Sequence, residues 1–420
     1  VTAGEAQQAI EATFRIERAR LIASLARMVR SIDLAEELVQ DALVVALSEW
    51  PRSGVPGNPG AWLMAVAKRR AIDSLRRGKM RQRKHEEIAR TTETLDGAAA
   101  AIEAALDDDL GDELLGLIFT ACHPMLSSDA RAALTLRVVG GLTTDEIARA
   151  FLSSESTIAQ RIVRAKKAIA KAGLTFETPR GAERAARLPS VLEVVYLIFN
   201  EGYAATAGQD LVRPDLCLEA QRLGRMLAGL MPEDAEVLGL LALMEIQASR
   251  LRARTGPEGE LVPITEQDRA RWDHLLIERG LEALARAEAL GGDGPYVLQA
   301  ALAACHARAR RAAETDWPRI AVLYDRLRVV APSAVVEINR AIAHSMAFGP
   351  EAGLRLVDGI ADTAALRNYA PLPAARGDFL FRAGRLAEAR SEFTAAAALT
   401  RNERERAFLL ARAEACDREP

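Results

Sequence analysis

Three prolines, Pro295, Pro332 and Pro371, stand 37 and 39 residues apart, and each opens the same pattern of helix, short break, helix. Proline suits the first turn of a helix, where its missing N–H has no partner to lose, and it is excluded from the interior. In the third block the first helix reads from Pro371 to Ala383, Gly384 breaks it, and a second reads from Arg385 to Leu399. An earlier block opens at Pro232 and is interrupted by a polar loop around Arg254–Gln267. A two-helix unit cannot bury its apolar face alone, so units repeated at this period must stack on one another as a solenoid.

The period lies near that of tetratricopeptide repeats. Residues 181–420 are therefore expected to form a tetratricopeptide-like α-solenoid, after a boundary marked by Pro179, Gly181 and Pro189. Composition agrees with an all-α chain: half the residues are apolar and only 5% are aromatic, with Ala, Leu, Arg and Glu dominant, whereas strands favour β-branched and aromatic side chains. No apolar run reaches the roughly 20 residues of a membrane span and no signal peptide is read, so the expectation is a cytoplasmic protein without a membrane partner. The net charge of −3 rules out a general polyanion binder. Cationic residues instead concentrate in two stretches, Ala61–Arg90 and Ser156–Lys171, which suits two contacts with one polyanion.

The second stretch belongs to a helix-turn-helix pattern at 143–171. Thr143 and Glu146 have capping-box spacing ahead of a helix Thr144–Phe151. Leu152–Ser154 breaks it, and Ser154 is placed to cap the next helix. There Ile158, Ile162, Ala165 and Ile169 form an inward stripe, while Thr157, Gln160, Arg161 and Arg164 share the opposite face. Such a front is suited to base edges in the major groove, with Lys166, Lys167 and Lys171 reaching phosphates.

The first stretch follows two further signals. In the helix around Asp33–Ala42, Leu34, Leu38 and Val45 are expected inward, and Glu36, Glu37, Gln40 and Asp41 form an acidic outer face. The Trp50–Gly60 segment, with its prolines and glycines, is expected to break the helix. A new helix runs from Ala61 to about Arg77, stacking Arg69, Asp73 and Arg76 on one face with Trp62, Val66 and Leu75 behind.

In this order the pieces resemble the extracytoplasmic-function group of RNA polymerase sigma factors. Asp33 to Asp41 is similar to the docking helix of sigma region two, Ala61–Arg77 to its promoter-melting part, and 113–171 to region four. The run Leu188–Tyr203 resembles the start of a tetratricopeptide-like extension found in one subgroup. The resemblance implies region two over 1–80, a linker over 81–112, region four over 113–175 and the extension over 181–420. It implies core RNA polymerase as partner, through the β′ clamp helices and the β flap, together with promoter DNA and a protein or peptide held by the extension. Asp33, Glu36, Glu37, Gln40 and Asp41 would dock on polymerase. Arg52 and Asn58 lie in a loop that would hold a flipped minus-ten base, with Lys68, Arg69, Arg76 and Arg77 on the opening strand. Thr157, Gln160, Arg161, Arg164 and Lys167 would read the minus-thirty-five element.

No enzyme, metal or cofactor is expected. There is no glycine-rich phosphate loop or nucleophilic triad, and Cys122-His123 has no second pair at ligand spacing. Cys217, Cys305 and Cys416 read as small buried residues, and Asn200–Tyr203 as a helix end stopped by Gly202. The competing reading is a one-component helix-turn-helix regulator with a sensing repeat domain, which leaves the acidic helix and Trp62–Arg77 without a role.

Overall fold

The computed structural model describes residues 3–86, 110–151, 153–203, 212–256, 260, 262–360, 366, 369–400 and 402–417. The chain divides into two compact units, Val1–Val194 and Val195–Pro420. Its described elements are almost entirely helical, as expected.

The first unit opens with α1 (Ala3–Val29), α2 (Ile32–Ser53) and α3 (Pro59–Glu86), which pack on one another. Ser31 caps α2 by accepting the Leu34 N–H. The helix continues through Pro51 to Ser53, beyond the expected break, because proline in the last turn forfeits only one backbone bond. It stops at Gly54, whose φ of +86° favours glycine. The inward stripe of α2 is Ala35, Leu38, Val39, Ala42, Ala46 and Trp50, with Leu34 and Val45 only half-buried at its edges. In α3 the buried positions are Leu63, Ala67 and Ala71. Trp62 and Val66 are half-buried and Leu75 is exposed, so the expected backing of the charged face is one helical step off. α3 also outruns Arg77, passing Gly78, whose helix penalty of about 1 kcal/mol is tolerable in an otherwise favourable run.

Residues 87–109, most of the expected linker, lie outside the described residues. Then come α4 (Leu110–Ala121), α5 (Ser128–Thr135), a π-helical turn at Leu136–Gly140, α6 (Thr144–Ala150) and α7 (Glu155–Lys171). Both expected caps form. Thr143 N–H donates to Glu146 Oε2 at 2.7 Å and Glu146 N–H donates to Thr143 Oγ1 at 3.2 Å, while Ser154 Oγ accepts the Thr157 N–H at 3.1 Å. Ile158, Ile162, Ala165 and Ile169 are buried as a stripe. Leu152, in the break between the two helices, lies outside the described residues.

The first unit ends later than Pro179, Gly181 and Pro189 indicate. The strand-like segment after α7 lies on α4: Thr178 Oγ1 donates to the Asp112 carbonyl at 2.7 Å, and a Cβ at Gly116 would sit 2.4 Å from the Phe176 carbonyl oxygen. The next helix, α8 (Gly181–Tyr203), contains Pro189 and crosses the division. Its first half is bonded to α4, the turn after it and α5. Arg187 donates to the Phe119 carbonyl at 2.8 Å, and Ser190 donates to the Cys122 carbonyl at 2.6 Å while accepting from the buried Arg131. Arg131 also pairs with Glu193 at 3.1 Å. Polar bonds of this kind leave no periodic apolar mark in sequence, whereas proline and glycine do.

The second unit continues with α9 (Pro214–Leu230), α10 (Ala235–Ala248), α11 (His274–Ala289), α12 (Pro295–Arg308), α13 (Trp317–Val330), α14 (Ala334–Phe348), α15 (Pro350–Asp358), α16 (Pro371–Arg382), α17 (Leu386–Leu399) and α18 (Glu403–Ala415). The pairs α12/α13, α14/α15 and α16/α17 are those the prolines mark, and each helix packs on its successor in the chain. Apolar clusters form around Leu284, Ala304 and Ile320, around Val357, Phe379 and Phe393, and, smaller, at Ala253, Trp272 and Ile277. Gly202 does not stop a helix. A Cβ there would meet Cys217 N at 2.7 Å, so glycine lets α8 and α9 approach closely. Glu201 is bound to Arg213 at 2.5 Å.

Candidate polymerase and promoter interface

The α2 carboxylates only partly form the free outer face that helical periodicity suggests, for Asp33 and Glu36 are already engaged. Glu36 is the hub of an ionic cluster inside the first unit. Its Oε1 receives Arg18 at 2.9 Å and faces Arg137 at 3.5 Å, and its Oε2 receives Lys166 at 2.5 Å. Lys166 also donates to Asp33 at 2.9 Å. The side chains of Arg18, Glu36 and Lys166 keep only 10, 14 and 12% of their exposure. Burial draws Arg18 below the usual arginine range, with Glu36 opposing the shift and Arg137 adding to it. Lys166 is therefore not a free phosphate contact in this state, because it is spent on α2.

The other docking candidates are more open. Glu37 and Gln40 are exposed, and Asp41 pairs with Arg70 on α3 at 2.7 Å across a solvated surface. Arg52 is exposed on the last turn of α2. Asn58, expected in a base-holding loop, is also the cap of α3, accepting the Ala61 N–H at 3.1 Å. Arg69, Asp73 and Arg76 are exposed along α3 and Lys68 is half-buried, while the side chain of Arg77 lies outside the described residues.

On α7, Thr157, Gln160, Arg164 and Lys167 are exposed, and Arg161 is half-buried against Asp129 at 3.2 Å. The front of this helix is thus open on the side away from its isoleucine stripe, with four polar groups able to meet base edges and phosphates.

Comparison with known proteins matches residues 14–81 to the model of sigma-70 region 2 and residues 117–169 to that of sigma-70 region 4. These spans contain the α2–α3 pair and the α6–α7 pair described above. The chain belongs to the extracytoplasmic-function type of sigma-70 factors. Residues 187–288 of this sigma factor match a family of unknown function, DUF6596. An uncharacterized protein of Rhizobium meliloti (strain 1021) is 42% identical over 397 residues, 93% of this chain and 92% of its own length. The extracytoplasmic-function sigma factors SigK of Mycobacterium sp. (strain KMS) and Mycobacterium ulcerans (strain Agy99) are each 28% identical. They cover 37% and 34% of this chain and 77% and 74% of their own. No solved structure matches it.

Cys122 of this sigma factor is a buried thiol whose pKa burial raises to about 11, and Cys217 is likewise raised to about 12, so neither is poised as a thiolate ligand. Among the described residues no cluster of His, Cys, Asp or Glu has the arrangement to hold a metal ion, and no helix is long and apolar enough to cross a membrane.

The residues that sequence reasoning missed are Arg18 and Arg137. Arg18 left a signal: it occupies the i+4 position between Phe14 and Leu21 on the inward stripe of α1, where an apolar side chain would be ordinary. A cation at such a position implies a buried anion nearby.

Proposed function

We propose that this sigma factor docks on the β′ clamp helices of core RNA polymerase through Asp33, Glu36, Glu37, Gln40 and Asp41. The minus-ten element would be opened and read by Arg52, at the end of α2, and the loop that follows it through Asn58, with Lys68, Arg69, Arg76 and Arg77. The minus-thirty-five element would be read by Thr157, Gln160, Arg161, Arg164 and Lys167, with region four also on the β flap. The observation that carries this reading is the grip of Lys166, on the recognition helix, on Asp33 and Glu36. An acidic surface that holds a cationic partner within its own chain has the charge and shape to hold another. In the state described, region four is that internal partner, so docking requires its displacement. The helix pairs of residues 181–420 are read as a tetratricopeptide-like domain that regulates the promoter-reading part, in cis or through a protein or peptide partner.

Transcription in vitro tests the function as a whole. The full chain added to core polymerase should produce initiation at a specific start site. A helix-turn-helix repressor or activator cannot do this without another sigma factor, so promoter-independent or absent initiation across a genomic template library counts against docking.

Base reading and phosphate contact should separate by residue. Arg161→Ala is expected to cost roughly 1–3 kcal/mol of discrimination at one base pair of the upstream element. Exchanging Asp129 for a base is cheap, since a solvated ion pair is worth about 0–1 kcal/mol. Lys167→Ala should instead weaken binding evenly across sequences and flatten the salt dependence. Binding titrations on a set of point-mutated promoters at two salt concentrations distinguish the two. If Lys167 governs specificity, α7 is rotated in the groove relative to this assignment.

A further inference from the structure

A cavity of about 350 Å³ opens within the second unit among α8, α10, α12, α13 and α14. That size lies within the usual range for small-molecule sites. Its wall mixes aromatic and aliphatic side chains, Trp272, Trp317, Tyr324 and Ile320 among them, with the amides of Gln247, Gln299 and Asn339, and no carboxylate lines it.

One lining side chain carries a charge. Arg250 turns its Nε and Nη2 to Gln247 Oε1 at 3.1 and 2.5 Å and lies over the Tyr203 ring at 5.5 Å. No carboxylate pairs with it among the described residues. Arg254 and Arg269 add to the positive potential around it, and burial lowers its basicity. A half-buried cation without a counter-ion is stabilised when an anion joins it, and a guanidinium meets a carboxylate with two parallel bonds.

The neutral polar groups fit the same occupant. His306 is kept uncharged, its pKa brought down to about 3 by burial and by Arg250 and Arg269. The Tyr324 hydroxyl, pushed up to about 12 by burial, keeps its proton. The cavity thus combines one cation without a carboxylate partner, neutral polar side chains and flat aromatic surfaces.

We propose that this cavity binds a small organic acid, whose carboxylate pairs with Arg250 and whose flat apolar body packs among Trp272, Trp317 and Ile320. The inference is independent of polymerase docking. It assigns the second unit a ligand where the reading above gives it only a regulatory role.

The test uses the full chain with benzoate and indole-3-acetate as probes, and benzamide and inorganic phosphate as controls. Tryptophan fluorescence is the readout, since two of the four tryptophans, Trp272 and Trp317, line the cavity. A saturable change and a raised melting temperature are expected with at least one acid, and benzamide should bind at least tenfold more weakly. Arg250→Gln should weaken binding at least tenfold, and Arg250→Lys should retain part of it. Ala303→Leu, which adds bulk to the cavity wall, should also remove binding and guards against a folding defect in the Arg250 variants. The proposal fails if neither acid saturates by about 10 mM, an affinity of only a few kcal/mol. It also fails if Arg250→Gln or Ala303→Leu binds like the parent, or if phosphate binds and the acids do not.

Discussion

Lys166→Glu is expected to raise the affinity of the full chain for core RNA polymerase about tenfold. The substitution removes the bonds from Lys166 to Asp33 and Glu36 and sets a third carboxylate beside them. The hydrogen bond to Glu36 is worth about 1.5–3 kcal/mol, the one to largely exposed Asp33 at most about 1 kcal/mol, and like charges repel, so tenfold is the lower end of the expected gain. A ligand that binds only the open form has its affinity reduced by the fraction of open form, and about 1.4 kcal/mol of bias is a factor of ten. Core-binding titrations measure the effect, and the melting temperature of the variant checks that the rest of the chain is intact. Because Arg18 and Arg137 remain on Glu36, the helix should not lose its place. Unchanged or weaker affinity would mean that the contact does not gate docking.

Truncation should report on α8 with a similarly large effect. Residues 1–180 are expected to melt about 10 °C below residues 1–194. Cutting at 180 strips the buried Arg131 of both Ser190 and Glu193, and it leaves the carbonyls of Cys122 and Phe119 without their donors. Glu193 is 58% exposed, so its pairing adds little, but each buried polar group left without a partner costs about 1–3 kcal/mol, and for a chain of this size each kcal/mol shifts melting by about 2–4 °C. Differential scanning calorimetry of the two fragments gives the comparison. Equal melting would assign the Arg131 cluster no stabilising role. Transcription by the longer fragment, set against the full chain, then reads the regulatory contribution of the second unit without that confounding loss.

Much of this architecture was legible because helices write periodically. Proline spacing located α12, α14 and α16 to within about two residues. The Thr143–Glu146 and Ser154 caps fixed the starts of α6 and α7, and the isoleucine stripe of α7 was read in full. What escaped were polar contacts between segments distant in sequence. Glu36 sits on the polar side of an amphipathic helix, and nothing in its own neighbourhood tells whether solvent, Lys166 or another protein will meet it. The same holds for Ser190 and Arg131, which meet across 59 residues. The cavity could not be read because its lining is gathered from residues between 196 and 343. Gly202 misled for a different reason: a glycine near the end of an apolar run resembles a C-terminal cap, but here it serves close packing.

The partial burial of the Glu36 cluster has a consequence for osmotic stress. Mobile ions screen exposed charges over a Debye length of about 8 Å at physiological ionic strength and over shorter distances as salt accumulates. They reach the Lys166–Glu36 pair, 12 and 14% exposed, far less well. The proposed contacts with promoter phosphates, and with polymerase through exposed Glu37, would therefore weaken with added salt more steeply than the Lys166–Glu36 pair. A cell that loses water and concentrates its potassium should find a larger fraction of this sigma factor closed, with no inhibitor and no change in its abundance.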